Sequence, residues 1–198
     1  MCGIGPQKYR EKSLKKELIH TRTISVSCYE TDEERLIVEG KLTDERHFPY
    51  VLHALNQKRD AGLMHHMTLT MELTIPHLKI LSIEAEMPVI PDTGCRDVKA
   101  AVQKLAGRRI QPGFTNEVKK IFGKASGCIH LTNLILTMSS AAVQGLWSYF
   151  SRSREGGALP LPGTDGSMLL DSCYMWRKDG PFVENIRQHR MAEQKKEC

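Results

Sequence analysis

The sequence predicts an α+β domain, with a mostly antiparallel sheet in the N-terminal half and three helices that follow and pack on it. Three observations carry this. Segments before Pro88 alternate apolar and polar residues with a period of two, and segments after Asp97 space their apolar residues at helical intervals. Pro88 and Pro91 stand where the period changes.

Residues 1–19 form a polar, basic stretch, expected to be a flexible arm. In T-I-S-V-S-C-Y-E (23–30), Ile24, Val26 and Cys28 share one face, which predicts a half-buried strand. R-L-I-V-E-G (35–40) follows the acidic turn T-D-E-E and supplies its hairpin partner. H-F-P-Y-V-L-H-A-L-N (47–56) fits either strand or helix, because Pro49 suits a first helical turn. The clearest strand is L-M-H-H-M-T-L-T-M-E-L-T-I (63–75). Its alternation sends His65, Met67, Leu69, Met71 and Leu73 inward and turns His66, Thr68, Thr70, Glu72 and Thr74 to solvent. L-K-I-L-S-I-E-A-E-M (78–87) pairs back, with Leu81, Ile83, Ala85 and Met87 on its apolar face.

Beyond the prolines, D-V-K-A-A-V-Q-K-L-A-G (97–107) carries Val98, Val102 and Leu105 as a helical stripe ended by Gly107. A second helix runs from Thr115 to Gly123. The longest runs from about Cys128 to Phe150, about 34 Å at 1.5 Å per residue. The Gly/Pro/Ser-rich stretch 151–167 is expected to be a surface loop, and apolar character returns over 168–186. This makes one domain of 20–186, with 187–198 as a flexible tail.

Composition narrows the function classes. Of 198 residues, 40% are hydrophobic and 26% charged, an ordinary globular balance. No apolar run reaches the length of a membrane span, so no membrane partner is expected. The opening M-C-G-I-G-P-Q-K-Y-R-E-K has no apolar core or cleavage signature of a secretory leader, which predicts a cytoplasmic protein. Six scattered cysteines (Cys2, Cys28, Cys95, Cys128, Cys173 and Cys198) are then free, metal-bound or catalytic rather than a disulfide framework. The net charge of +5 lies in the ends, with +3 in residues 1–17 and +2 in 187–198, so the body is neutral. A neutral body with only 6% aromatics argues against nucleic acid and leaves a small molecule or a protein as partner. Oligomeric state has no signature in the sequence.

One ordered set of segments is R-T-I, G-K-L-T-D, M-H-H-M-T-L, P-D-T-G-C, L-A-G-R-R-I-Q-P-G-F, G-C-I-H-L and D-S-C-Y-M-W-R-K-D-G-P, spread from Arg22 to Pro181. It resembles a bacterial family of unknown function, domain-of-unknown-function family twenty-eight eighty-nine. The resemblance matches His65 and Met67, Cys95, Asp44, Cys173 and the Gly127-Cys128-Ile129-His130-Leu131 stretch. Ile129 stands where the family has Thr, which removes one hydroxyl from the site. The family brings no established activity, so it sharpens the residue list and not the function.

His65 puts a polar ring among apolar side chains, so it needs a hydrogen-bond or metal partner, a Cys or an Asp. Its plain alternative is a core histidine held by a backbone carbonyl. Cys128 and His130 open the long helix, where free amides and the helix dipole favour a thiolate, and Cys95 precedes another helix. The plain alternative for each cysteine is a small core residue. Two chemistries stay open. Cys95, Cys128, His130 and Cys173 or His65 would suit zinc or an iron centre, in an enzyme or an accessory role in cofactor metabolism. Otherwise Cys128 is the nucleophile of a metal-free thiol-dependent enzyme, with His65 or His130 as base and Asp44 orienting it. Helical i,i+2 side chains diverge, which argues against direct contact between Cys128 and His130. A third reading is a non-catalytic interaction domain.

Overall fold

The computed structural model describes residues 15–152, 170–171 and 173–194. It is α+β: an antiparallel sheet with helices on one face. The strands are β1 (His20–Glu30), β2 (Arg35–Arg46), β3 (Tyr50–Leu52), β4 (Gln57–Arg59), β5 (Gly62–Thr74) and β6 (Ile80–Val89). The main sheet has the order β1-β2-β5-β6, while β3 and β4 make a separate small hairpin between β2 and β5. After β6 come a 3-10 helix (Thr93–Leu105) and the α-helices α1 (Phe114–Phe122), α2 (Ile129–Ser151) and α3 (Pro181–Gln194).

The period of two sorts each central strand. Leu36, Val38, Leu42 and Asp44 of β2 are buried, as are His65, Met67, Leu69, Met71 and Leu73 of β5. Cross-strand neighbours share a face, so these residues make one inner surface. Helix α2 covers it with Leu131, Leu134, Ile135, Met138, Ala142 and Leu146. Two glycines let α2 approach closely. A Cβ on Gly40 of β2 would collide with Met138 and come within 2.9 Å of Leu134, and one on Gly145 would lie 2.8 Å from the Cys28 Sγ. The opposite face is polar and carries the Arg35–Glu72 ion pair.

Three local readings are corrected. Leu81, expected on the apolar face of β6, is exposed, and Ile80 is buried in its place. The register slips by one between Glu72–Ser82 and Leu73–Ile80, so Leu81 is the extra residue of a bulge that turns it outward. The α-helix expected over 97–107 is a 3-10 helix beginning at Thr93, where the Asp92 side chain accepts from the Gly94 amide at 2.8 Å. With about three residues per turn, Cys95, Val98 and Ala101 line up as a partly buried stripe on the core. At the C-terminus, α3 continues through 187–194, residues assigned from sequence to the tail. The basic arm to residue 14 and most of the 151–167 loop lie outside the described residues.

Candidate functional site

Register builds the site before any side chain is considered. Arg22 of β1 pairs with Asp44 of β2, and Asp44 pairs with His65 of β5, so three chemically active residues form one row across three strands. The alternation that buries Leu42 and Met67 carries Asp44 and His65 inward with them; Asp44 is 2% exposed and His65 8%. Beside this row β5 bulges: Asp44 pairs with His65 but Glu45 pairs with Leu63, leaving Met64 unpaired between them.

The fourth residue comes from above. His130 is the second residue of α2, and its ring stacks on that of His65 with centroids 3.9 Å apart. Its position depends on the turn before the helix. A Cβ on Gly127 would collide with the Phe122 carbonyl oxygen and meet its ring at 2.8 Å, so only glycine allows the chain to pass there. Buried Thr132 donates its hydroxyl to the Cys128 carbonyl at 2.9 Å, fixing the first turn.

The centre of the cluster is the Asp44 carboxylate. Arg22 donates to it twice, Nε to Oδ1 and a terminal nitrogen to Oδ2, both at 2.7 Å. His20 Nε2 stands 3.3 Å from Oδ1. His65 Nδ1 and His130 Nε2 each lie 3.1 Å from Oδ2. The His65 contact is close but off the ideal line: its buried Nδ1 still draws on the Asp44 carboxylate, without the alignment of an ordinary hydrogen bond. One ligand atom from each of Asp44, His65 and His130 lies within 4.8 Å of the other two.

Electrostatics set the protonation states. Burial works against the charge on Asp44, but the Arg22 hydrogen bonds and charge outweigh it and hold the carboxyl down to about 2. Burial lowers His130, and the neighbouring His65 lowers it further, to about 4. Burial also pushes His65 below its ordinary value, against the pull of Asp44. At neutral pH the site is therefore an arginine–carboxylate pair with two neutral imidazoles, the state in which histidine ligates metals or acts as a base.

The residues singled out from sequence divide clearly. His65, His130 and Asp44 converge. Cys128 stands beside them, its Sγ 3.6 Å from His130 Nδ1, so the expectation that these two side chains diverge is corrected. Cys128 is the N-cap of α2, with extended φ −113° and ψ 129°, and helical spacing does not govern it. Cys95 belongs to the stripe on the hydrophobic core, and Cys173 is exposed before a short 3-10 turn at 174–176; neither has a ligand atom in the group. Ile129 is 64% exposed, so its side chain faces water at the helix start. Sequence reasoning missed Arg22 and His20 as site residues. The signal for Arg22 was available in the β1–β2 hairpin register, which sets it opposite Asp44.

A family described as a protein of unknown function (DUF2889) matches residues 20–144, more than half of the chain and the whole of this cluster. The match stops short of Cys173 and α3. No curated protein and no solved structure matches the chain.

Proposed function

We propose that this chain, which belongs to the DUF2889 family, binds one zinc or iron ion through Asp44, His65 and His130 and uses it on a small-molecule substrate in the cytoplasm. The observation that carries this is the convergence of a buried and a half-buried imidazole on one carboxylate oxygen, with His65 Nδ1 and His130 Nε2 each 3.1 Å from Asp44 Oδ2. Buried imidazole nitrogens need good partners, and a metal ion on their lone pairs would supply one to both rings. The spacing supports the same reading. Donors about 2.1 Å from a common ion sit about 3.0–3.4 Å apart in octahedral or tetrahedral geometry, and two of the contacts here are 3.1 Å. Two histidines and one carboxylate are a donor set used for catalytic zinc and for non-haem iron, and three protein ligands leave positions for water and substrate. Arg22 orients the carboxylate, as outer partners of metal ligands do. No helix of the described residues is long and apolar enough to cross a membrane.

Protein purified without chelator should carry close to one zinc or iron per chain by elemental mass spectrometry. His65→Phe should abolish this while circular dichroism stays native. Metal-free protein that gains no thermal stability on adding zinc or ferrous iron would overturn the metal reading.

A second reading has its own observation: Cys128 Sγ, His130 and Asp44 follow one another at 3.6 and 3.1 Å, the sequence of nucleophile, base and orienting carboxylate. It requires Cys128 to react with iodoacetamide at pH 7 well ahead of half-buried Cys28 and to slow when His130 is replaced. Equal labelling would remove it.

A further inference from the structure

The small β3–β4 hairpin is the part of the fold that the metal cluster does not use. Together with the end of β2 and the start of β5 it frames an open cavity of about 820 Å³, within the range of small-molecule sites. Its wall is continuous with the cluster. Arg46 lies two residues beyond Asp44 on β2, and Met64 is the bulged residue next to His65.

The lining has two characters. Phe48, Tyr50 and Met64 make an apolar wall, and Arg46, Lys58 and Arg59 bring three cations against the single carboxylate of Asp60. Among the described residues no carboxylate forms an ion pair with any of the three cations. Arg59 spends one terminal nitrogen on Gln57 Oε1 at 2.8 Å, with the Pro91 carbonyl 3.4 Å away. Arg46 differs. Its guanidinium rests 5.0 Å from the centroid of the Tyr50 ring, and its Nε is buried with no hydrogen-bond partner among the described residues. That buried Nε does not face the cavity, but Arg46 lines it beside the Tyr50 ring, and an arginine's planar fork suits an acceptor of matching shape.

We propose that this cavity binds a small organic carboxylate, its apolar ring or chain against Phe48, Tyr50 and Met64 and its carboxylate on Arg46. A carboxylate suits the site better than a phosphate. Phosphate sites usually add backbone amides of a helix N-terminus, and among the described residues that line the cavity the helical turn is the three-residue 3-10 segment His53–Leu55. The proposal deepens the proposed function by naming a substrate class, and rests on that reading only for the word substrate; binding itself does not require the metal.

Titration calorimetry with benzoate, on full-length protein both after chelator treatment and after metal loading, tests it. Benzoate should bind the chelator-treated protein with a dissociation constant of roughly millimolar or better, while neutral benzamide gives no saturable heat. Arg46→Gln should weaken benzoate at least tenfold, and Arg46→Lys should weaken it less. If Arg46→Gln does not fold, the benzoate–benzamide contrast on unaltered protein and the Arg46→Lys variant decide. Equal binding of the two compounds, no binding of either, or phenyl phosphate binding more than tenfold tighter than benzoate would overturn the carboxylate assignment. Absence of metal with benzoate binding intact would sink the metal reading alone.

Discussion

The two ends of the sheet's inner face are built by the same alternation and do opposite things. At one end Leu36, Val38, Met71 and Leu73 lie fully buried in the core that α2 covers. At the other end the same row positions hold Asp44 and His65, with Arg22 beside them and His130 above. The apolar end gains free energy from every side chain it removes from water. The polar end pays desolvation for a carboxylate and two imidazoles, and recovers part of it through Arg22. Burial of this kind is poor economy for stability alone, which is why the polar end reads as a site and the apolar end as its support.

Substitutions should separate the two ends. The largest stability loss is expected from Met71→Ala, about 2–5 kcal/mol for a buried methionine, with metal stoichiometry unchanged; urea unfolding and elemental analysis measure the two. If this variant loses metal while still folded, the ends are not independent.

Acid should act through the polar end. His130 is held at about 4 in the fold against 6.5 as its ordinary value. Between those values the unfolded chain binds the additional proton, so stability is present above about pH 6.5 and falls as pH drops toward 4. For metal-free protein the loss is on the order of 3 kcal/mol from this residue. His65, also lowered, adds in the same sense. Asp44, held at about 2 against 3.8, extends the loss below pH 3.8. The stability difference between pH 7 and pH 4.5 in denaturant unfolding should therefore shrink in His130→Gln, leaving the part that His65 contributes, and an unchanged pH slope in that variant would contradict the buried neutral imidazole.

A smaller stability effect, but complete loss of metal, is expected for Asp44→Asn. It keeps the shape and leaves the Arg22 guanidinium without its charge partner, at a cost of about 1–3 kcal/mol. Retained stoichiometry would remove Asp44 from the ligand set. Least of all should come from Cys128→Ser, under about 1 kcal/mol and with metal kept, because Sγ faces His130 Nδ1 while Nε2 faces the cluster. Metal lost in this variant would restore the thiol to the coordination sphere.

Strict alternation from His65 to Leu73 made the strand, its buried face and the need for a partner at His65 legible from the sequence, since a one-residue slip would expose four apolar side chains. Asp44 and the Cys128–His130 stretch were legible as chemistry but not as geometry. Cysteine identity alone recruited Cys95 and Cys173, and neither joins the cluster, because one packs on the core and the other is exposed. Leu81 was misread because a bulge inserts one residue without changing the local pattern that precedes it.

The sequence by itself determined which residues of β2 and β5 turn inward, where the sheet ends and where helices take over, because side-chain periodicity is a local property of the backbone. Only the tertiary structure decided that Arg22, Asp44 and His65 share a row and that His130 lies over it. Those contacts depend on strand register and on how closely α2 can approach at Gly40 and Gly145. Both are set by packing between segments far apart in the chain, which no local spacing encodes.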